Sequence, residues 1–518
     1  MQLCNAANVP LAALIDAVSN ANCKIASSRC DCDVFMTMKT PPYATLSPEQ
    51  AAPHLQAARL QRMAASMQRT AQWGDGQAAG RRWTMGCVSL EITQRCNLDC
   101  TLCYLSDSAE AVRDIPLSEL YCRIDDIATR YGPNTDVQIS GGDPTLRDKD
   151  ELSQIVRYVR ARGLRASLFT NGILLNRAWL SRLADDGLND VAFHVDMTQE
   201  RKGYASEADM NRLRLAYIGM ARGLPLSVIF NTTVFADNMH EVPMLADFFI
   251  QHNDVVRFAS FQLGADTGRG TVPGRELVGD LHKAQASEAM AVNQTTVRTA
   301  IAHGAGIALN FDALDGGHRS CNRYAMLFTI GQQRFDALQD GAFVARVMRD
   351  TADIALPRDQ GLRSAWAMAC ALLRKRHLAS GFIRHTARML WQARSQWVSA
   401  GRIVPPVRKI SFFIHNFMDA CDLDPERIDA CVFMAATAEG PMSMCAYNAE
   451  RERILLKPIV LSDGQTWQPL ALAPDANGEI RIPVKWLKGK PREAAMAQRS
   501  FVHIKTRDEF HEKSEVIP

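Results

Sequence analysis

The sequence predicts an α/β fold: a partial or full TIM-like (β/α) barrel, a helical insert, and a C-terminal cysteine-containing α+β region. Three observations predict it. From residue 87, short apolar runs alternate with longer stretches of helical periodicity. Polar or glycine-bearing turns close one apolar run after another, as at the mouth of a parallel barrel. The chain has 518 residues, too many for one core, since single cores stop growing near ~250–300 residues.

Residues 1–80 are rich in Ala, Gln and Ser and read as a partly flexible N-terminal extension. Cys4, Cys23, Cys30 and Cys32 lie there with little apolar content around them. Four thiols suffice for zinc, and a plain extension upstream of a true start at Met36 or Met38 is the alternative. Residues 81–325 carry the barrel. Its candidate strands are Val88–Thr93, Asp136–Ser140, Arg165–Phe169, Asp190–Val195, Leu226–Thr233, Val255–Gln262 and Ile307–Phe311. Helical periodicity fills the gaps at Leu117–Tyr131, Asp148–Arg162 and Arg177–Asp185.

Residues 326–405 read as a helical segment. Between Leu362 and Arg402 stand Arg363, Arg374, Lys375, Arg376, Arg384, Arg388, Arg394 and Arg402, with no Asp or Glu. Trp366, Trp391 and Trp397 are interleaved with them. Such a stretch suits either an anionic membrane surface or a helix packed on the barrel with its basic face in water. Residues 406–518 form the last region, which turns to short strands and a charged tail after residue 450.

Composition narrows the function classes. Hydrophobic residues make up 47% and charged residues 22%, ordinary values for a globular protein. A formal net charge of +3 is too mild for a nucleic-acid-binding footprint. The opening residues lack a basic start followed by an apolar stretch, so a cytoplasmic location is expected, compatible with a membrane-facing surface. In that compartment the 14 cysteines are read first as metal ligands rather than disulfides.

The densest chemistry follows the first strand, in Glu91-Ile-Thr-Gln-Arg-Cys96-Asn-Leu-Asp-Cys100-Thr-Leu-Cys103-Tyr104. Three thiolates in one short loop can ligate three irons of a 4Fe–4S cubane. The fourth iron then lacks a protein ligand and can chelate the amino and carboxylate groups of a small molecule. A zinc site is the competing reading. The next strand ends in Ser140-Gly141-Gly142-Asp143-Pro144-Thr145, where two glycines permit close backbone approach and Pro fixes the turn. Later strand ends carry Thr170-Asn171-Gly172 and His194-Val195-Asp196, with Asn231 and Gln262 beyond them. Each of these is also an ordinary cap or turn residue.

Strand, CxxxCxxC and polar loop together resemble the radical S-adenosylmethionine (SAM) superfamily. The resemblance implies a 4Fe–4S cluster on Cys96, Cys100 and Cys103, with SAM on the open iron. It implies cleavage of SAM to methionine and a 5′-deoxyadenosyl radical, which abstracts hydrogen from an unactivated carbon. The Gly141-Gly142-Asp143-Pro144 turn resembles the family's GGEP motif, with Asp143 in place of Glu. Leu102 stands where the family usually has an aromatic residue near the adenine, and Tyr104 follows the third cysteine. By the same resemblance Thr170, Asn171 and Asp196 are candidates for SAM ribose or carboxylate contacts. An electron donor such as flavodoxin or ferredoxin is implied too. No acid–base catalytic residue is called for, because the cofactor carries the chemistry.

Cys321, Cys421, Cys431 and Cys445 sit beside polar or turn-forming segments and can together hold a second 4Fe–4S cluster. Buried free thiols and zinc are the alternatives. Cys370, in an apolar helical run, reads as core. With Ser260-Phe261-Gln262, Phe417-Met418-Asp419 and Tyr447-Asn448, the pattern resembles tetraether-lipid synthase-like radical SAM proteins with an auxiliary cluster. That resemblance implies a lipid substrate. A peptide or another small molecule, or a non-catalytic iron–sulfur or zinc scaffold, are the competing readings.

Overall fold

The computed structural model describes residues 86–470 apart from 107, 266–291, 315–316, 352–353, 355–360, 393 and 395–405, together with the short strands Arg481–Ile482 and Val502–His503. The N-terminal cysteines, Trp397 and Arg402 lie outside these residues.

The first half alternates strand and helix: β1 (Cys87–Thr93), α1 (Leu117–Tyr131), β2 (Asp136–Gly141), α2 (Lys149–Ala161), β3 (Arg165–Thr170), α3 (Arg177–Asp185), β4 (Asp190–His194), α4 (Glu207–Ala221), β5 (Ser227–Val234), α5 (Val242–Gln251) and β6 (Val256–Leu263). Local chemistry sets the helix starts. Asp148 accepts from the backbone N–H groups of Asp150 and Glu151 to open α2. Asn176 accepts from Trp179 N–H to open α3, and Ser206 from Asp209 N–H to open α4.

After β6 come α6 (Gln294–Ala305), the antiparallel pair β7 (Asn322–Ile330) and β8 (Gln333–Asp336), then α7 (Gly341–Asp350), α8 (Gly361–Arg374), α9 (Arg376–Gln392) and β9 (Val407–Asn416). The C-terminal part holds α10 (Pro425–Asp429), the hairpin of β10 (Phe433–Thr437) and β11 (Gly440–Ser443), α11 (Met444–Ala449) and α12 (Arg451–Leu455).

One sheet of eleven strands runs β11-β10-β1-β2-β3-β4-β5-β6-β9-β7-β8. Every pairing from β10 to β9 is parallel, and both flanks are antiparallel. This is the curved sheet of a partial (β/α) barrel. Its strands read as near-continuous apolar runs because both faces are covered: Val88, Leu90, Ile92, Val137, Ile139, Leu168, Val191, Phe193 and Phe230 are fully buried. Parallel pairing brings the C-terminal ends of β1 to β6 to one rim, and the polar loops gather there.

Residues 307–311 depart from expectation. Gly306 takes φ +65° and ends α6, and no strand follows it. The backbone N–H of Asn310 bonds Asp336 and its side chain bonds the Leu338 carbonyl, so the segment runs as a loop. The place beside β6 goes to β9, a longer run whose Ile410, Phe412 and Ile414 are fully buried. Among the described residues no helix is long and apolar enough to cross a membrane.

Candidate functional site

The loop after β1 is stitched to the loop after β2. Gly142 N–H donates to the Thr93 carbonyl at 2.9 Å and Asp143 N–H to the Arg95 carbonyl at 2.8 Å. Gly141 takes φ +121°, and a Cβ there would stand 1.9 Å from Thr93 O. A Cβ on Gly142 would stand 2.0 Å from Arg95 O. Both glycines are therefore required by backbone-to-backbone approach. Gly142→Ala is expected to cost roughly 1–3 kcal/mol by forcing the two loops apart. Hydrogen exchange of residues 94–104 in metal-free protein checks this, and unchanged protection would refute it.

Cys96, Cys100 and Cys103 lie on this loop, each half-buried and none in a disulfide. Cys96 N–H donates to Glu110 Oε1 at 2.9 Å. Thr101 N–H donates to the Thr198 carbonyl at 2.9 Å, and its hydroxyl bonds Glu200, which ties the loop to the end of β4. Asn171 donates to Asn97 Oδ1 at 2.6 Å and lies 3.9 Å from Cys96 Sγ. The loop thus touches the ends of β2, β3 and β4. Among the described residues, no three His, Cys, Asp or Glu side chains converge to hold a single metal ion. Three thiols on one rim loop are enough to ligate three irons of a cluster.

The sequence-derived residues divide by role. Asp143 is fully buried, and its carboxylate accepts from Thr145 N–H at 2.9 Å, the Thr170 hydroxyl at 2.9 Å and Asn171 N–H at 2.8 Å. Thr170 Oγ1 in turn accepts from Gly172 N–H at 3.0 Å. Asp196, also fully buried, accepts from Thr198 N–H at 3.0 Å, Thr233 N–H at 2.7 Å and His194 Nε2 at 2.7 Å. Asp143, Thr170 and Asp196 therefore spend their polar atoms holding loops. Pro144 is buried at the start of a short 3₁₀ turn behind them. Leu102 leans toward β6, its Cδ1 3.5 Å from where a Gly264 Cβ would stand.

At the β4 end, the side chain that keeps solvent access is His194, at 34% exposure. Burial opposes its charge, but the Asp196 carboxylate outweighs that and raises its pKa. Asp196 is likewise resisted by burial, yet His194 and the loop hydrogen bonds pull it down to about 2.

A buried network absent from the sequence reading joins the C-terminal helices to the cysteine loop. Glu91 on β1 is 3% exposed. It accepts from Gln94 Nε2, the Tyr447 hydroxyl and Arg451 Nη1, all at 2.8 Å. The Arg451 guanidinium lies 4.4 Å from the Tyr104 ring centroid and 4.6 Å from that of Tyr447. Tyr104 donates to the Gly141 carbonyl at 2.6 Å. Although Tyr104 is 37% exposed, desolvation and then the Glu91 charge raise its phenol above its usual range, so it remains a donor. A signal existed: a carboxylate inside the run Val88-Ser-Leu-Glu91-Ile-Thr must find a cation if the strand is buried.

The C-terminal cysteines form a second cluster of donors. Cys321, Cys431 and Cys445 line one cavity with His318, His415, Met418 and Arg427; Cys421 is not on its lining. The cavity lies where the two flanks of the sheet meet, the end of β9 against the start of β10. Burial pushes Cys431 up to about 12 and Cys445 up to about 11, and neighbouring thiols add to both.

Comparison with known proteins bears on the rim loops. The family model described as the Radical SAM superfamily matches residues 90–249. Fe-coproporphyrin III synthase of Methanosarcina barkeri is 28% identical over 191 residues, 36% of this chain and 45% of the relative. A PqqA peptide cyclase of Bradyrhizobium diazoefficiens is 30% identical over 162 residues, 30% of this chain and 41% of the relative. The chain thus spans less than half the length of these curated relatives. A solved structure of Streptococcus suis SuiB bound to precursor peptide SuiA has a TM-score of 0.30 at 14% identity, covering 42% of this chain and 46% of that one.

Proposed function

We propose that the chain, whose residues 90–249 match the Radical SAM superfamily model, reductively cleaves SAM and abstracts hydrogen from an unactivated carbon of an organic substrate. The observation that carries this is the cysteine loop stitched to the Gly141-Gly142 loop at the rim. Cys96, Cys100 and Cys103 would hold a 4Fe–4S cluster, which, once reduced, would supply the electron for reductive cleavage of SAM.

The chain's own residues hold and orient. Cys96, Cys100 and Cys103 are the proposed ligands of three irons. Gly141, Gly142, Tyr104 and Asn171 line the ground beside them, and Leu102 closes it toward β6. Asp143, Pro144, Thr170 and Asp196 act through the loops they fix. Cys321, Cys431 and Cys445 are proposed to hold a second iron–sulfur cluster. The reductant is a one-electron donor such as flavodoxin or ferredoxin, and the compartment is cytoplasmic.

Substrate class is read from outside the shared core, because the curated relatives are named for a porphyrin and a peptide. Leu362, Trp366, Leu373, Phe382, Ile383 and Trp391 are exposed on α8 and α9, among the arginines noted above. This pairing favours peripheral contact with an anionic lipid surface, and with it a lipid as hydrogen donor. A peptide substrate is the alternative.

Anaerobic reconstitution followed by dithionite and SAM tests the core proposal. Release of 5′-deoxyadenosine is the expected result. A chain with a full complement of iron and sulfide that releases none would overturn the reading. Phosphatidylglycerol vesicles added to the same assay raise the release only if the substrate or docking surface is lipid.

A further inference from the structure

We propose that the second cluster is held by three thiolates and one imidazole, from Cys321, Cys431, Cys445 and His415, and that Cys421 is not among its ligands. The inference rests on the reading of the C-terminal region as a metal-binding one and specifies its donor set.

Topology assembles the four residues from four separate elements. Cys321 precedes β7, and Asn322 pairs with His415 across the antiparallel β7–β9 ladder. The Cys321 carbonyl accepts from Asn416 N–H at 2.8 Å, so Cys321 and the end of β9 share one edge. Cys431 enters two residues before β10, and Cys445 opens α11. All four line the same cavity, whereas Cys421 does not.

His415 supplies the fourth donor. It is 7% exposed and lies on the same cavity wall as the three thiols. Its ring is held 4.0 Å from that of Phe417 and 5.4 Å from that of Phe433, centroid to centroid. An imidazole on the wall of a three-thiol cavity is a nitrogen donor placed to complete the set. His318 on the same lining is already engaged, its Nδ1 accepting from Ser320 N–H at 3.2 Å in the turn before Cys321.

The surroundings suit an anionic thiolate set. Arg427 Nε donates to Cys321 Sγ at 3.1 Å, and its Nη2 is anchored on the Asn416 carbonyl at 2.7 Å. Met418 N–H points at Cys445 Sγ at 3.5 Å. One cation and one backbone donor are thus aimed at two of the three sulfurs. Four donors on the wall of one cavity are enough to ligate the four irons of a cubane.

The test uses the full chain with Cys96, Cys100 and Cys103 all replaced by Ala, so that only the second site remains. After anaerobic reconstitution this protein should hold about four irons and four sulfides. Cys421→Ser should leave that content and the reduced-state electron paramagnetic resonance spectrum unchanged. Cys431→Ser or Cys445→Ser should remove most of the iron. His415→Ala should shift the spectrum and lower the iron, and His415→Cys should restore the iron with an altered spectrum. Should His415→Ala fail to fold, the spectrum of His415→Cys still reads the site. Loss of iron in Cys421→Ser, an unaltered spectrum in both His415 variants, or zinc in place of iron would overturn the proposal. Failure of the rim-cluster reading looks different: the triple replacement would then hold as much iron as the unaltered chain.

Discussion

Replacing Cys96, Cys100 or Cys103 with Ala should lower 5′-deoxyadenosine release by more than about 1,000-fold, roughly 4 kcal/mol or more in barrier height. The expectation follows from what the loop does and does not contribute to folding. Its three side chains are half-buried on a rim loop, while the fully buried residues of β1 beneath it are Val88, Leu90 and Ile92. The loop is held by backbone bonds from Gly142, Asp143 and Thr101, none of which involves a thiol. Removing one sulfur should therefore leave the fold intact and take away a cluster ligand. Far-ultraviolet circular dichroism should match the unaltered chain while rim iron and product both disappear. Cys122→Ala is the control, since Cys122 is exposed on α1. Retained turnover in any of the three variants would remove that cysteine from the ligand set. Equal loss in the Cys122 variant would point to a general effect of lost thiols.

The parts of this architecture written in local pattern were readable from the sequence. Strands β1 to β6 showed themselves because a doubly covered parallel strand is an unbroken apolar run. The rim loops showed themselves because only glycine fits at Gly141 and Gly142, and because closely spaced thiols are rarely accidental. Roles were harder to read than identities. Asp143 and Asp196 stand at the strand ends where polar residues were expected, yet both carboxylates turn inward and bind backbone N–H groups of the neighbouring strand ends. A one-dimensional pattern gives the residue type at a rim position but not which way its oxygens face.

Long-range pairing was the other blind spot. The place beside β6 is taken by β9, more than a hundred residues later, instead of by the nearer residues 307–311. Sequence spacing favours the near candidate. Burial favours the longer run with Ile410, Phe412 and Ile414. The same holds for the cavity between the sheet flanks: the four cysteines were visible, but which of them share a wall depends on how β9 and β10 meet.

Arg451→Met should be the most disruptive single change outside the metal ligands. Arg451 is the only cation bonded to the Glu91 carboxylate among the described residues, and the two lie 360 positions apart in the chain. Removing it leaves a buried carboxylate with only Gln94 and Tyr447 as donors. Breaking a buried ion pair in this way costs roughly 3–5 kcal/mol, mostly the penalty of the charge left behind. The damage should reach the rim. Arg451 lies against the face of Tyr104, and Tyr104 ties the cysteine loop to the Gly141 carbonyl. The urea midpoint of the metal-free protein should fall, and hydrogen exchange of residues 96–106 should quicken. The double variant Glu91→Gln/Arg451→Met separates the two effects. Neutralising residue 91 should recover much of the stability, because no uncompensated charge remains. It should not restore protection of the cysteine loop, because the guanidinium is still missing from the Tyr104 face. If the double variant recovers both, Arg451 serves only to neutralise Glu91; if exchange at residues 96–106 never changes, the C-terminal helices do not support the rim at all.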